Sequence, residues 1–387
     1  MIINYLVIKK EYNMNIKINR EILINNLLIV SKALSTNVII NRNLSGIKME
    51  AKNKTLTLIA NSGDIAIKQI VSDPSLIITK EDTILVPGKS IIEMIKKIDE
   101  PTVELYMSEN QLLIKSNSLE YKLNLFKIED FPEVEFFDSG NSFTLNSNTI
   151  KNISKEVGFS AAVTDKRPHF QGVHFLYDNM KLRTTATDSF RLSTKTLNID
   201  FGSKKMEFII PSKAIDELSR ILDYHSDDVS MVVKTNVVIF KHHNTLFRTR
   251  LLEGQFPDIL RIIPSAFTLE IPFNKEELIR AIDKVSITSS KDNNSKMNQL
   301  QFKLRLDKIV ELTAINDTGS SKQEVNPCGE IDSKPFEMLL NLKYLLDAVK
   351  SLSGVEIKIC IVDTRKPIVI KDITDLQIIH VILPLTI

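Results

Sequence analysis

EDFPEV at residues 129–134 returns as GQFPDI at 254–259, with Pro132 and Pro257 separated by 125 residues. ILVPGKSIIEMI (84–95) likewise returns as FIIPSKAIDELS (208–219), Pro87 and Pro211 being 124 residues apart. Asp64 in TLIANSGD and Asp188 in RTTATDSF repeat that step of 124. Self-similarity at one fixed offset is the mark of a tandem architecture, and it has to be read before any single motif. A third copy follows with weaker identity: Asn146 of SFTLNSNTIKNI aligns with Asn274 of LEIPFNKEELIRAI, LTAIND (312–317) replaces TTATDS, and Asn341 stands where Pro211 stood.

The repeat has a readable content. An amphipathic segment follows an Asn cap in NREILINNLLIVSKAL, NSNTIKNISKEVGF and NKEELIRAIDKVSI, with apolar residues recurring at three and four. Short alternating strands joined by Asn- and Asp-centred turns come next, as in IKMEAKNKTLTLIA and VHFLYDNMKLRTTA. A second helix and another hairpin complete each copy. The fold class expected is therefore α+β: three tandem copies of one strand-rich domain with two helices against the sheets, over 14–139, 140–267 and 268–387. Residues 1–13 precede the tiling and read as an N-terminal extension, with Met14 a candidate start.

Gly88-Lys89-Ser90 inside the second landmark resembles the end of a phosphate-binding loop. That loop needs a glycine five residues before Gly88, where Thr83 stands, and Pro87 removes a backbone donor from the supposed cradle. Lys89 has another reading in register. Lys89, Lys213 and Lys343 occupy one position in the three copies, and Lys96, Arg220 and Lys350 occupy another seven residues on. On a helix, positions i and i+7 lie about 20° from eclipsed, so each pair makes a stripe up one face. A single pair is an ordinary solvated face; six basic positions out of six suit the evenly spaced phosphates of duplex DNA, contacted without sequence preference.

Composition sets outer limits. Cys328 and Cys360 show no C-x-x-C pairing, and the six histidines show no H-x-x-x-H spacing, so neither a disulfide framework nor a metal site is expected. No cofactor is implied. No apolar run reaches the eighteen or so residues of a membrane helix and no signal peptide opens the chain, which leads to a cytoplasmic expectation. A hydrolase reading of Asp188, Ser189 and Arg191 fails for want of a nearby histidine base or a G-x-S-x-G elbow. A repeat scaffold that binds proteins but not DNA stays open, given a net charge of only +2.

TATDSFRLS (185–193), LLEGQFPDILRIIP (251–264) and the ending HVILPLTI (380–387) carry a resemblance that covers the chain from Met14 onward. Together they resemble the bacterial DNA sliding clamp, the beta subunit of DNA polymerase III. The resemblance implies a head-to-tail homodimer whose six domains close a ring around duplex DNA, helices inward, with no active site. It implies that the clamp loader, the polymerase III catalytic subunit, repair polymerases and mismatch-repair proteins dock a short linear motif into one pocket. Carried over by motif, its walls are Phe170, Thr187, Ser189, Phe190, Arg191, Leu192, Pro257, Arg261, Ile262, Asn341, Tyr344, Val381, Leu383, Pro384 and Leu385. The dimer contact falls on Tyr121 and Leu123 of the strand SLEYKLNLF and on Ile287. Ordinary core packing is the other reading of those three.

The chain also departs from the family. Phe190 stands where many members have His, and the tail has Leu and Thr386 where Met and Arg are common, which makes the pocket more apolar. Asn37, Pro168 and His169 replace residues that approach DNA in the family, so those secondary DNA contacts are in doubt.

Overall fold

The computed structural model describes residues 13–35, 42–137, 141–202, 204–222, 227–289, 298–317 and 319–385; Asn37, Thr386 and all but the last residue of the 1–13 extension lie outside them. In chain order the first stretch holds β1 (Met14–Asn19), α1 (Arg20–Ser31), β2 (Gly46–Lys52), β3 (Thr55–Asn61), β4 (Ile65–Val71), β5 (Ile77–Lys80), β6 (Asp82–Pro87), α2 (Gly88–Lys96), β7 (Thr102–Ser108), β8 (Gln111–Ser116) and β9 (Leu119–Asn124). The second holds β10 (Asn141–Asn146), α3 (Ser147–Glu156), β11 (Gly172–Asp178), β12 (Lys181–Thr187), β13 (Arg191–Asn198), β14 (Met206–Pro211), α4 (Ser212–Ile221), β15 (Asp228–Val233), β16 (Val237–His242) and β17 (Thr245–Arg250). The third holds β18 (Leu269–Asn274), α5 (Lys275–Val285), β19 (Gln299–Leu304), β20 (Val310–Asn316), β21 (Gly319–Val325), β22 (Phe336–Asn341), α6 (Leu342–Ser351), β23 (Glu356–Ile361), β24 (Ile368–Asp372) and β25 (Ile378–Ile382). The same element order recurs three times, β5 being an extra strand of the first stretch.

Local chemistry explains the recurrence. Asn19, Asn274 and Asn341 end their strands and cap the helices behind them, their side-chain oxygens accepting from the N–H groups of Glu21, Glu277 and Tyr344 at 2.8, 3.1 and 3.1 Å. Asn53-Lys54 and Asn179-Met180 carry positive φ in two-residue hairpin turns between β2 and β3 and between β11 and β12. Gly88 belongs to packing rather than to phosphate binding. A Cβ there would meet Leu34 Cδ1 at 2.6 Å and the Ser45 carbonyl oxygen at 3.0 Å, so glycine lets α2 start close against the segment that leaves α1 without moving the Leu34 side chain.

Backbone contacts group the chain into two units, residues 1–147 with 220–250 and residues 148–219 with 251–387. In the first unit a five-stranded sheet runs β5-β1-β7-β8-β9, and an eight-stranded sheet runs β10-β15-β16-β17-β4-β3-β2-β6. In the second unit an eight-stranded sheet runs β14-β11-β12-β13-β25-β24-β23-β18, and a four-stranded sheet runs β21-β20-β19-β22. All these pairings are antiparallel. Each eight-stranded sheet is two half-sheets from consecutive stretches, sewn by β4·β17 in one unit and by β13·β25 in the other. The helices cover one face of the half-sheets: α1 packs on α2, β3 and β4, and α5 packs on α6, β20 and β21. Ile16, Leu23, Leu27, Leu58 and Ile91 are buried in the first unit, and Ile271, Leu278, Leu312, Leu345 and Ile357 in the second.

Candidate functional site

The expected pocket residues all belong to the second unit, where the turn between β12 and β13 organises them. Thr187 Oγ1 donates to the Arg191 carbonyl at 2.7 Å and accepts from the Ser189 N–H at 3.1 Å. Asp188 Oδ1 accepts from the Phe190 and Arg191 N–H groups at 3.0 and 2.9 Å. This holds Ser189 at φ 78, in the left-handed region that a non-glycine residue adopts only when its surroundings fix it. The turn pushes Phe190 outward, leaving it 54% exposed. Leu383 then extends the β13·β25 ladder by donating its N–H to the Phe190 carbonyl at 2.9 Å, so two apolar side chains emerge side by side. Leu385 donates to the Leu339 carbonyl at 2.8 Å and pins the half-buried tail, Pro384 included, onto β22.

Arg191 ties this turn to α6. Its Nε donates to Asp188 Oδ2 at 3.1 Å, its Nη1 donates to Asp347 Oδ2 at 2.8 Å, and its guanidinium lies 4.4 Å from the Tyr344 ring centre and 5.3 Å from that of Phe159. Burial, reinforced by Asp188, raises the Tyr344 phenol above its ordinary value, so Tyr344 stays neutral. Beneath lies an apolar cluster holding Phe170, Leu192 and Val381 together with Phe256, Ile259 and Val369. Phe170 is only 7% exposed, roofed by the Arg167 guanidinium at 4.2 Å and the His169 ring at 4.5 Å.

Several expected wall residues do other jobs. Phe170, Leu192 and Val381 form a floor. Asn341 is 2% exposed because its side chain is committed to capping α6. The junction segment meets the cluster through Phe256 and Ile259, whereas Pro257, Arg261 and Ile262 face outward, Arg261 paired with Asp258 at 3.2 Å. Phe256 also stacks on His174 with ring centres 4.5 Å apart. Sequence reading missed Phe256, Arg167 and Asp347. Phe256 was legible as the one aromatic in GQFPDI; Asp347 lies 156 residues from Arg191 and gave no local signal. Gly254 has φ 120, and a Cβ there would meet His169 Nδ1 at 2.5 Å, which accounts for the glycine of that motif.

Behind the site a buried polar chain runs through four elements. Ser351 Oγ donates to the Ala348 carbonyl, so it accepts from His380 Nε2–H at 2.9 Å; His380 Nδ1 is therefore an acceptor and receives a hydrogen bond from the Ser193 hydroxyl at 2.7 Å. Ser193 Oγ in turn accepts from Ser160 Oγ at 2.6 Å. Burial, then the nearby Arg191 and Lys195 charges, push the His380 pKa down to about 3. The sign follows: between pH 6.5 and about 3 the unfolded chain takes up a proton here that the folded chain refuses. Stability is unaffected above pH 6.5 and falls with acid below it, by up to about 1.4 kcal/mol per pH unit. His380→Asn is expected to flatten the acid limb of a stability-versus-pH curve by that one-proton slope, read from denaturant unfolding at pH 5 and 7; an unaltered limb contradicts the assignment.

The helical stripe residues Lys89, Lys96, Lys213, Arg220, Lys343 and Lys350 are all exposed. Lys350 Nζ pairs with Asp283 at 3.1 Å. Lys155, Arg280 and Lys284 add exposed basic positions on α3 and α5 that register matching passed over. On β9, Tyr121 is half-buried and Leu123 is buried, while Glu120, Lys122 and Asn124 are exposed; Ile287 is 80% exposed. Pro168 and His169 open a short 3₁₀ turn. In the first unit Asp227, His242 and His243 bring donor atoms within 4.8 Å of one another, a grouping that the spacing rule for histidines did not anticipate. Among the described residues no helix is long and apolar enough to cross a membrane.

With this geometry in place, comparison with known proteins is direct. Family models match along the chain: the DNA polymerase III beta subunit N-terminal domain over residues 14–135, its central domain over 144–258 and its C-terminal domain over 260–386. A beta sliding clamp of Staphylococcus epidermidis is 29% identical over 349 residues, covering 88% of this chain and 91% of its own length. The crystal structure of the DNA polymerase sliding clamp from Bacillus subtilis superposes with a TM-score of 0.89 at 26% identity, over 97% of this chain and 100% of that one. The DNA polymerase III beta chain of Streptococcus pneumoniae gives the same TM-score, identity and coverage. The chain belongs to the DNA polymerase III beta-subunit family, the bacterial sliding clamps.

Proposed function

We propose that two copies of this chain close head to tail into a ring that encircles duplex DNA in the cytoplasm and tethers the replicative polymerase, without catalysis of its own. The observation that carries this reading is the bookkeeping of half-sheets. Two of the three possible seams are made within the chain, β4·β17 and β13·β25. In each, the third strand of a first half-sheet pairs with the last strand of the following stretch's second half-sheet. The strands left over by that rule are β21 and β9, and both are sheet edges. An unpaired edge is a template for another strand, and here the complementary edge belongs to a second copy. A head-to-tail contact of this kind either closes or propagates, and two copies of three repeats close it.

A mass of twice 44.0 kDa by sedimentation supports the reading, and a monomer at micromolar concentration removes it. The basic helix positions are read as facing the threaded duplex, holding phosphates without sequence preference. Changing Lys89, Lys96, Lys213, Arg220, Lys343 and Lys350 together to Gln is expected to flatten the salt dependence of binding to short duplexes, since each lost phosphate contact takes about one from the log–log slope. An unchanged slope assigns those side chains to ordinary solvated faces. Partner proteins are read as docking a short linear motif on the surface formed by Phe190, Leu383, Tyr344 and the outward residues Pro257, Arg261 and Ile262. The clamp loader, the polymerase III catalytic subunit, repair polymerases and mismatch-repair proteins are the partners expected there.

A further inference from the structure

We infer the register of the ring-closing seam: β9 of one copy pairs antiparallel with β21 of the other so that Glu120 lies opposite Lys322 and Tyr121 opposite Ser321. This rests on the head-to-tail dimer proposed above and adds residue-level pairing to it.

The register follows from carrying the two observed seams through the repeat. Starting at the strand that ends on each second helix, the ladders run Pro87 to Gly46, Pro211 to Gly172 and Asn341 to Gln299. Two residues along, they continue Lys48–Ile59–Lys68, His174–Thr185–Thr194 and Gln301–Thr313–Lys322. Lys68, Thr194 and Lys322 are thus equivalent. From the Asn-capped strands, the ladders run Leu105–Ile114–Tyr121, Met231–Phe240–Phe247 and Ile359–Ile370–His380, which makes Tyr121, Phe247 and His380 equivalent. In both made seams the first position faces the residue just before the second: Lys68 faces Leu246, and Thr194 faces Ile379. The same rule in the unmade seam sets Lys322 against Glu120.

Charge reaches the same answer independently. Across the outer face of the β1-β7-β8-β9 sheet the directly opposed residues alternate in sign, Lys17–Glu104–Lys115–Glu120, with ion pairs of 3.2 Å at Lys17–Glu104 and 3.1 Å at Lys115–Glu120. The next rung calls for a cation. Lys322 supplies it, already 2.5 Å from Glu311 on its own sheet. Slipping the register by two residues one way sets Glu120 against Glu324 and Lys122 against Lys322, and like charges directly opposed are destabilising. Slipping the other way leaves Glu120 against Ser320. On the helix side, Ser321 donates to the Val285 carbonyl and shares a hydrogen bond with Thr288, so Tyr121 lands beside the exposed Ile287 between them. The one placement gives both Tyr121 and Ile287 a partner.

Charge reversal tests this, because the neighbouring register predicts the opposite sign. Dimer dissociation is measured by sedimentation for the full chain, Glu120→Lys, Lys322→Glu and the double variant. In the inferred register each single reversal weakens the dimer about tenfold, since every ring has two seams, and the double variant returns to within about threefold of the parent even though Lys115 and Glu311 have each lost one ion pair. If either single reversal tightens the dimer, the seam is slipped toward Glu324; if neither changes it, the seam is slipped toward Ser320. Both results overturn the register while the dimer stands. A parent chain that is monomeric throughout overturns the dimer and the register together.

Discussion

Lys195→Ala is expected to destabilise the second unit by roughly 3–5 kcal/mol. Lys195 is 5% exposed on β13, its ammonium 2.5 Å from Glu156 on α3 and 2.8 Å from Asp375 before β25. Burial works to lower its pKa, but the two carboxylates outweigh that and hold it above the ordinary value. Its contribution is therefore complete below about pH 10.5 and is lost only as pH rises beyond the raised pKa. Alanine leaves Glu156, 2% exposed, as a carboxylate with no cation in the core. The double variant Lys195→Met with Glu156→Leu is expected to recover most of the loss, because apolar side chains of similar volume replace a buried pair at little cost. Denaturant unfolding monitored at β13 and β25 reads both. A loss under about 1 kcal/mol for Lys195→Ala contradicts the role given to this buried pair.

Arg191→Ala is expected to weaken binding of a polymerase motif peptide by about a hundredfold while the sedimentation mass of the ring stays unchanged. The guanidinium holds both Asp188, which fixes the Phe190 turn, and Asp347 on α6, and charge-assisted hydrogen bonds of this kind are worth about 1.5–3 kcal/mol each. Removing it leaves the turn with its backbone bonds but no tie to Asp347, sets two carboxylates near one another without that cation, and strips the face of Tyr344. Arg191→Lys keeps the charge but not the planar fork, so an intermediate loss is expected. Deleting LPLTI removes Leu383 and the tail that Leu385 pins, with the same outcome expected. Unchanged affinity in a titration calorimeter for Arg191→Ala takes the docking site away from this turn.

The fold was legible wherever its cause was local. Asparagines at strand ends announced helices, Asn-centred dipeptides announced tight hairpins, and two recurring prolines exposed the period. What escaped was set by contacts between distant stretches. The seam of β4 with β17 joins residues such as Lys68 and Leu246, for which no spacing rule exists. For the same reason the middle repeat, contiguous in sequence, divides its strands between two packed units. Gly88 resembled part of a phosphate-binding loop, and its packing against Leu34 and the Ser45 carbonyl comes from a distant stretch that no local motif signals. In the candidate site, the residues named by family resemblance come together in the second unit, but their division of labour was not legible: whether Phe170 is wall or floor depends on what covers it, and Arg167 and His169 do so. The polar chain through His380 was invisible because its four members come from four elements and look, one by one, like unremarkable serines and a histidine.

The central claim is that this chain holds DNA by enclosure rather than by affinity. It is tested by loading the protein onto nicked circular duplex with a clamp loader and ATP, removing free protein by gel filtration, and then cutting the circle once. The account predicts that protein stays with closed circles through a high-salt wash and leaves within minutes of linearisation. Equal retention on cut and closed DNA would contradict it.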